Sequence, residues 1–235
     1  MTITRRAVSA AALALAAPAM ARPTPYVLYA AQPGAETLDE GHGGGNPFAS
    51  AFVDLLADPA LDLGRLPGGL RRLAAERSEG FQDADVPGAL QPASLRLRDP
   101  KLARVALVAT QSTYRNPGVP QLPGAARDGT RVAAALSDAG FSVVFRPDLE
   151  RSALLSALAA FASRSRSADL ALIYATGHGV QSAGVTHLLT PDYETGRGEA
   201  RLGERSVTIP QMAEAARARR ANLMLWAGCR SPFTF

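Results

Sequence analysis

The chain alternates between short, nearly continuous apolar runs and longer segments in which apolar residues recur every three or four positions. Short apolar runs are typical of strands buried on both faces of a parallel sheet. These runs predict strands at 26–30, 105–109, 141–145, 170–174 and 223–225. A further extended segment is expected near 93–97. The longer period predicts helices at 47–56, 66–77, 128–139, 149–162 and 211–220. The alternation of the two predicts an α/β fold with a mostly parallel central sheet flanked by helices.

Two of the predicted strands end in residues that suit nucleophilic catalysis. Strand 170–174 leads into His178, which has a glycine on each side, so the backbone can turn sharply there and leave the imidazole accessible. Cys229, the single cysteine of the chain, also follows a glycine, after strand 223–225. Ligands of open α/β sheets bind at the carboxyl ends of the strands. A cysteine and a histidine at that edge are the groups that thiolate catalysis needs, with the histidine as base and later as acid.

Each of these residues also has a plainer interpretation. A free cysteine is often a small buried hydrophobic residue, and a histidine at a strand end can be purely structural. The glycine before Cys229 and the arginine after it do not suit a deep core. A nearby cation stabilises a thiolate, so Arg230 and His178 are both expected to activate the thiol. The matching positions of His178 and Cys229 therefore favour the catalytic interpretation.

Residues 174–181 read Tyr-Ala-Thr-Gly-His-Gly-Val-Gln, and residues 223–233 read Leu-Met-Leu-Trp-Ala-Gly-Cys-Arg-Ser-Pro-Phe. The two segments resemble the histidine and nucleophile motifs of bacterial caspase-like and metacaspase-like cysteine peptidases. This resemblance implies a caspase-like three-layer sandwich and cleavage of peptide bonds by a Cys229/His178 dyad. It also implies an oxyanion hole made by the backbone amides of Gly179 and Cys229, with a protein or peptide as the substrate.

The order of the segments differs from that family. Residues 26–48 resemble the small-subunit-like part, which in the family follows the catalytic cysteine, whereas here they come first. The resemblance therefore implies a circular permutation, in which 22–98 is the small-subunit-like part and 99–235 the large-subunit-like part of one domain. It predicts that strand 26–30 lies beside strand 223–225. The oligomeric state is left open, and one alternative is a swapped dimer in which a partner's residues 22–98 complete the fold.

One departure from the family concerns substrate specificity. The family has an aspartate two residues before the cysteine that helps to bind a basic P1 side chain (the residue on the amino side of the scissile bond), and Ala227 stands there instead. Asp39 aligns with the second acid of that pocket, although a solvated loop carboxylate is an equal alternative. Cleavage after basic residues is thus expected to be weak. An inactive caspase-fold protein that binds a peptide without cutting it is the alternative function.

The first 21 residues have the pattern of an export signal. Arg5 and Arg6 precede an uncharged apolar stretch, and Ala-Met-Ala at 19–21 fits a signal-peptidase site. The paired arginines suggest the twin-arginine route. We expect a periplasmic or secreted mature protein with no membrane span after the signal is removed, because the apolar stretch is too short and too rich in alanine to span. An alanine-rich N-terminal helix is the alternative.

The composition of the chain narrows the remaining functional classes. The net charge is +4, and the basic residues are spread over many segments without interleaved aromatic residues, so no nucleic-acid partner is expected. A single cysteine excludes an intrachain disulfide and is too few for a cysteine-type zinc site. The dyad needs neither a metal nor another cofactor, and none is expected. His42, in a glycine-rich loop, and His187, on a different element from His178, are given no role.

Overall fold

The computed structural model describes residues 22–194 and 199–232, so the predicted export signal lies outside the described residues. The strands are β1 (Tyr26–Tyr29), β2 (Arg104–Thr110), β3 (Ser142–Pro147), β4 (Leu170–Thr176), β5 (Gly179–Ser182), β6 (Val185–Leu189), β7 (Ser206–Thr208), β8 (Ala221–Trp226) and β9 (Ser231–Pro232). The helices are α1 (Pro47–Ala57), α2 (Leu66–Arg77), α3 (Pro123–Asp138), α4 (Arg151–Ser165) and α5 (Ile209–Ala213), and a 3-10 helix spans Glu199–Glu204.

Five strands form a central sheet in the order β1-β8-β4-β2-β3, and every neighbouring pair is parallel. All residues of β2, β4 and β8 are buried, which is why these strands appear in the sequence as uninterrupted apolar runs. The sheet is flanked by helices on both faces. The predicted α/β class with a mostly parallel sheet and a caspase-like layering is confirmed.

Strand β1 lies beside β8, as the sequence predicts. The register pairs Tyr26 with Leu223 and Tyr29 with Trp226, so the first strand of the described chain and the strand that leads to the cysteine end at the same edge. Residues 22–98 therefore pack onto residues 99–232 of the same chain, and one chain supplies both parts of the sheet.

Alternate residues of the strands build a core on each face of the sheet. Leu172 and Tyr174 face α1, α2 and α3, whereas Ala171 and Ile173 face α4 and α5. These strand side chains are fully buried. The two cores leave the amino and carboxyl edges of the sheet as the places where polar side chains gather.

Three local predictions were wrong. Helix α3 begins at Pro123, five residues before the predicted start, because proline suits the first turn of a helix and Pro123 can begin it. Helix α5 ends at Ala213 rather than at 220, since the chain turns there to enter β8 and the Asn222 side chain bonds both backbone groups of Ala218. The extended run expected at 93–97 is a series of turns with a single bridge, between Asp62 and Arg96.

A second, smaller sheet in the order β7-β6-β5-β9 was not predicted as a unit. Its strands β5 and β9 directly follow His178 and the Cys229–Arg230 turn, and they pair in parallel through Val180 and Ser231. This pairing fixes the two strand ends relative to each other. Over residues 22–194 and 199–232, no helix combines the length and the apolar content that crossing a membrane requires.

Candidate active site

A cavity of about 330 Å³ opens at the carboxyl edge of the central sheet, between the ends of β4 and β8. All four residues that the sequence singled out, His178, Gly179, Cys229 and Asp39, line it. His178 follows β4, Cys229 follows β8, and these two strands are neighbours in the sheet. The histidine and the cysteine therefore meet at one cavity although 51 residues separate them in the sequence.

Two hydrogen bonds orient His178. Its Nε2 lies 2.8 Å from the carbonyl oxygen of Pro120, and its backbone N–H donates to the phenol oxygen of Tyr114 at 2.9 Å. Because a carbonyl can only accept, Nε2 carries the hydrogen and Nδ1 of the neutral ring has a free lone pair. Burial lowers the pKa of His178 below its usual value, while the Pro120 carbonyl and Asp39 oppose that shift. The imidazole is therefore neutral at pH 7.

The loop that supplies the Pro120 carbonyl is held by its own side chains. Gln121 accepts the backbone N–H of Tyr114 and donates to the carbonyl of the same residue, both at 2.9 Å. The backbone N–H of Leu122 donates to the Ser112 carbonyl at 2.8 Å. The carboxylate of Asp148 accepts the N–H and the hydroxyl of Ser112. The partner of the imidazole is thus a fixed loop and not a mobile side chain.

Cys229 is half-buried, and its sulfur is in contact with Thr37. The backbone N–H of Thr37 donates to Sγ at 3.3 Å, and the Thr37 hydroxyl lies 3.4 Å from Sγ. Nothing in the sequence singled out Thr37, because it belongs to a loop without periodicity or a chemical motif. The thiol thus contacts Thr37, which lines the cavity, whereas the imidazole contacts the Pro120 carbonyl.

The guanidinium of Arg230, which the sequence suggested as an activator of the thiol, is in contact with Tyr29, Asp85 and Ala31. It stacks on the ring of Tyr29, 4.0 Å from the ring centre, and donates to Asp85 at 2.6 Å and to the Ala31 carbonyl at 3.2 Å. The side chain is buried, and the carboxylate of Asp85 neutralises its charge. Arg230 therefore joins the cysteine turn to the segment that contains Asp85.

Three carboxylate residues line the cavity, Glu36, Asp39 and Asp128. Asp39 is exposed and accepts the backbone N–H of Gly124 at 3.2 Å. Asp128, which the sequence analysis gave no role, is only 1% exposed and accepts the backbone N–H of Asn46 at 2.9 Å. Burial raises the pKa of Asp128 to about 6, against the opposing effects of the Asn46 amide and Arg131. Asp128 is thus a buried acid in a cavity that the solvent can enter.

Asn46 connects the walls of this cavity. As the N-cap of α1 it accepts the backbone N–H of Phe48, and its amide donates to the carbonyls of Leu38 at 2.7 Å and Ala227 at 3.3 Å. Leu38 precedes Asp39, and Ala227 is two residues before the cysteine. The sequence signal that could have identified Asn46 is its place before Pro47, where an asparagine caps a helix.

The other two histidines, His42 and His187, do not line the cavity. His42 is exposed and pairs with Glu79, while Nδ1 of His187 lies 3.0 Å from the hydroxyl of Ser206. Nowhere in the described part of the chain do three or more His, Cys, Asp or Glu side chains come together in an arrangement that could hold a metal ion.

Comparison with models of known protein families gives a match over part of the chain. Residues 103–199 match the family model of the caspase domain, a segment that contains β2 to β6 and His178. No curated protein matches the sequence. The matched segment ends before β8, so it does not include Cys229.

Proposed function

We propose that the chain is a caspase-like cysteine endopeptidase in which Cys229 is the nucleophile and His178 the acid–base catalyst, in keeping with the match of residues 103–199 to the caspase-domain model. One observation carries this proposal: the thiol and an imidazole with a free Nδ1 line the same cavity at the ends of neighbouring strands. The Pro120 carbonyl sets the tautomer that a base needs. The substrate is a peptide segment that lies in this cavity.

In the first step Nδ1 of neutral His178 takes the proton of the thiol while Sγ of Cys229 attacks the scissile carbonyl carbon. The carbonyl π electrons move onto its oxygen, which becomes an oxyanion. The imidazolium that forms is stabilised by its Nε2–H bond to Pro120. Nδ1–H then protonates the departing amine, and a thioester remains on Cys229. Attack by water, with His178 again as base, releases the acid and restores the thiol.

Backbone geometry supports Gly179 as a donor to the oxyanion. The backbone N–H of Leu189 donates to the His178 carbonyl, so the pair of 178 and 189 is a hydrogen-bonded pair of the β5–β6 ladder. The next pair, Gly179 with Leu188, is then of the non-hydrogen-bonded type, and the N–H of Gly179 points away from β6. Together with the Cys229 amide it makes a pair of donors on the cavity wall.

The carboxylates that line the cavity favour a basic P1 residue. Asp39 and Asp128 both line it, so a guanidinium or ammonium group entering between them finds two anionic acceptors although Ala227 has replaced the acid of the family pattern. Two carboxylates can hold an arginine by several charged hydrogen bonds. The presence of Asp128 makes the proposed preference for arginine stronger than the sequence alone suggested.

A peptide-binding protein without catalysis is the second candidate. The contact of Thr37 with the sulfur favours it, because a backbone N–H and a hydroxyl both approach the atom that has to attack the substrate. Catalysis requires that the thiol leaves Thr37 and turns towards Nδ1. In the inactive alternative Cys229 stays on Thr37, and a peptide is bound but not cut.

The test is hydrolysis of fluorogenic peptides with arginine, aspartate or leucine at P1, combined with an acyloxymethyl-ketone probe for each. We expect turnover and labelling with arginine, both lost in Cys229→Ala and His178→Ala. Because the two residues act as a unit, the double variant should be no worse than either single one. Binding of the peptide with no turnover and no labelling would favour the inactive alternative.

The adjacency of β1 and β8 supports a circular permutation, which remains a proposal. A direct test is to reorder the gene so that residues 99–235 precede 22–98, with a short linker between Phe235 and Arg22. The reordered protein should fold with a similar melting temperature and retain its activity. A protein that is unfolded only in the reordered form would contradict the permutation.

We also propose that residues 1–21 direct export. N-terminal sequencing of mature native protein should find Arg22 or a neighbouring residue first. Replacing Arg5 and Arg6 by lysine should leave the protein in the cytoplasm if the twin-arginine route is used. Detection of intact Met1 on soluble native protein would contradict export.

A further inference from the structure

Trp226 is a buried aromatic residue beneath the cysteine turn, and the mechanism above gives it no part. It is the last residue of β8 and pairs with Tyr29 on one side and Ala175 on the other, so its backbone is fixed by both neighbouring strands. Its side chain is fully buried. The indole therefore sits on a rigid base directly below the residues that carry the proposed oxyanion donors.

The indole is bonded to the cysteine itself. Its Nε1–H donates to the carbonyl oxygen of Cys229 at 3.2 Å, three residues further along the chain. This bond closes the turn from Trp226 to Cys229 and fixes the peptide plane between Cys229 and Arg230. On the other side of that plane the N–H of Arg230 donates to the Ala35 carbonyl at 2.8 Å. The Cys229 main chain is thus held from two directions.

The indole ring also leaves no room for a side chain at two glycines of the site. A Cβ placed on Gly228 would lie 2.4 Å from the indole, and a Cβ placed on Gly179 would lie 2.6 Å from the same ring atom. Real Cβ atoms do not approach other atoms so closely. The backbones of Gly179 and Gly228 therefore rest directly on the indole, and no larger residue fits at either position while Trp226 is present.

From these contacts we propose that Trp226 is a positioning residue that sets the distance between the two oxyanion donors, the amides of Gly179 and Cys229. One ring touches the Gly179 backbone, touches the Gly228 backbone before Cys229, and bonds the Cys229 carbonyl. The proposal deepens the peptidase function and rests on it. Transition-state stabilisation depends on donors that are already in place, so a small shift between the two amides lowers kcat and has little effect on substrate binding.

The main variant is Trp226→Phe, which keeps an aromatic ring and removes both the N–H donor and the ring atom that touches the glycines. The matched control is Phe161→Leu, which removes a buried aromatic ring from the same core on α4, away from the cavity. We expect Trp226→Phe to lower kcat by about tenfold or more at nearly unchanged KM. Phe161→Leu should lower the melting temperature by a similar amount and keep kcat within about twofold.

A second readout does not depend on turnover. Because alkylation depends on the exposure and the environment of the thiol, the rate at which iodoacetamide alkylates Cys229 should change in Trp226→Phe by about threefold or more and stay at the wild-type value in Phe161→Leu. Trp226 is the only tryptophan of the chain, so its fluorescence can be followed directly. Complete alkylation of Cys229 should shift the emission of the wild-type protein, whereas Cys229→Ala treated in the same way should not respond.

These outcomes separate the two proposals. If the wild-type protein cuts no peptide, the peptidase function fails, and the alkylation and fluorescence results still decide whether Trp226 positions the cysteine turn. If Trp226→Phe matches Phe161→Leu in kcat and in alkylation rate, the indole is only a core residue and the inference is overturned. An emission that does not change on complete alkylation also counts against it.

Discussion

The backbone N–H of His178 donates to the phenol oxygen of Tyr114, and the two rings lie with their centres 5.0 Å apart. The phenol in turn donates to the Gln111 carbonyl at 3.3 Å. Burial raises the pKa of Tyr114 well above its usual value, so the phenol keeps its proton at neutral pH. A neutral, buried phenol therefore holds the backbone of the proposed catalytic base.

The first prediction concerns Tyr114→Phe. Removing the hydroxyl leaves the buried N–H of His178 without its acceptor, which typically costs about 1–3 kcal/mol. We expect urea unfolding to show that loss and kcat to fall by about tenfold as the imidazole shifts. Tyr193→Phe, a change of a buried tyrosine away from the cavity, is the control for a general loss of stability. Equal kcat values for the two variants would contradict a role of Tyr114 in positioning His178.

The second prediction concerns two glycines with different surroundings. A Cβ at position 179 would lie 2.1 Å from the Cys229 carbonyl oxygen, whereas a Cβ at position 68 would meet nothing within 4 Å. Gly179→Ala should therefore displace the backbone, lower the melting temperature and abolish labelling by the peptide probe. Gly68→Ala, in the first turn of α2, should stabilise the protein by about 0.5 kcal/mol. An active, fully stable Gly179→Ala protein would mean that this backbone approach is not tight.

The third prediction concerns the buried cation. Arg230 is almost fully buried between Tyr29 and the half-exposed Asp85, so Arg230→Met removes a stacking contact and an ion pair together. A double-mutant cycle with Asp85→Asn should give a coupling of about 1–3 kcal/mol in the free energy of unfolding. Loss of the fixed cysteine turn should also slow alkylation of Cys229. Additive effects of the two changes would show that the pair contributes no net stability.

Much of this fold could be predicted because buried parallel strands leave a clear signal. The strands β2, β4 and β8 appear as apolar runs, and the positions of His178 and Cys229 follow from where those runs end. The short strands β5, β7 and β9 have neither length nor alternation. Their existence depends on pairing with one another, which a single sequence does not display.

The missed residues of the site have a common physical reason. Asp128 stands one turn before the inward-facing Val132 on α3 and looks like a polar helix residue; it is buried only because Asn46 and the end of β4 come together over it. Thr37 lies in a loop whose path is set by distant contacts. Arg230 follows Cys229 in the sequence, yet its side chain turns to Tyr29 and Asp85. The direction in which a side chain points is set by tertiary contacts, and the local sequence does not display those contacts.

The fourth prediction concerns specificity. Asp39→Asn and Asp128→Asn should each lower kcat/KM for arginine at P1 by about tenfold or more and change the leucine substrate little, because a charged contact loses one partner. Restoring an acid by Ala227→Asp should raise cleavage after arginine. Glu40→Gln, on an exposed residue that pairs with Arg127, is the control. If the ratio of arginine to leucine cleavage is unchanged in Asp39→Asn, the proposed pocket does not include that residue.

The last prediction follows from the protonation of Asp128. Its pKa is about 6 in the folded protein, against 3.8 for the ordinary value, so the folded state binds the proton more tightly than the unfolded state. Between those values stability falls as pH rises, by at most about 3 kcal/mol. Asp128→Asn, which cannot ionise, should therefore gain stability relative to the wild type at about pH 8 and lose that advantage at about pH 4. Urea unfolding at both pH values measures this difference. A constant difference between the two proteins would mean that Asp128 titrates as an ordinary carboxylate.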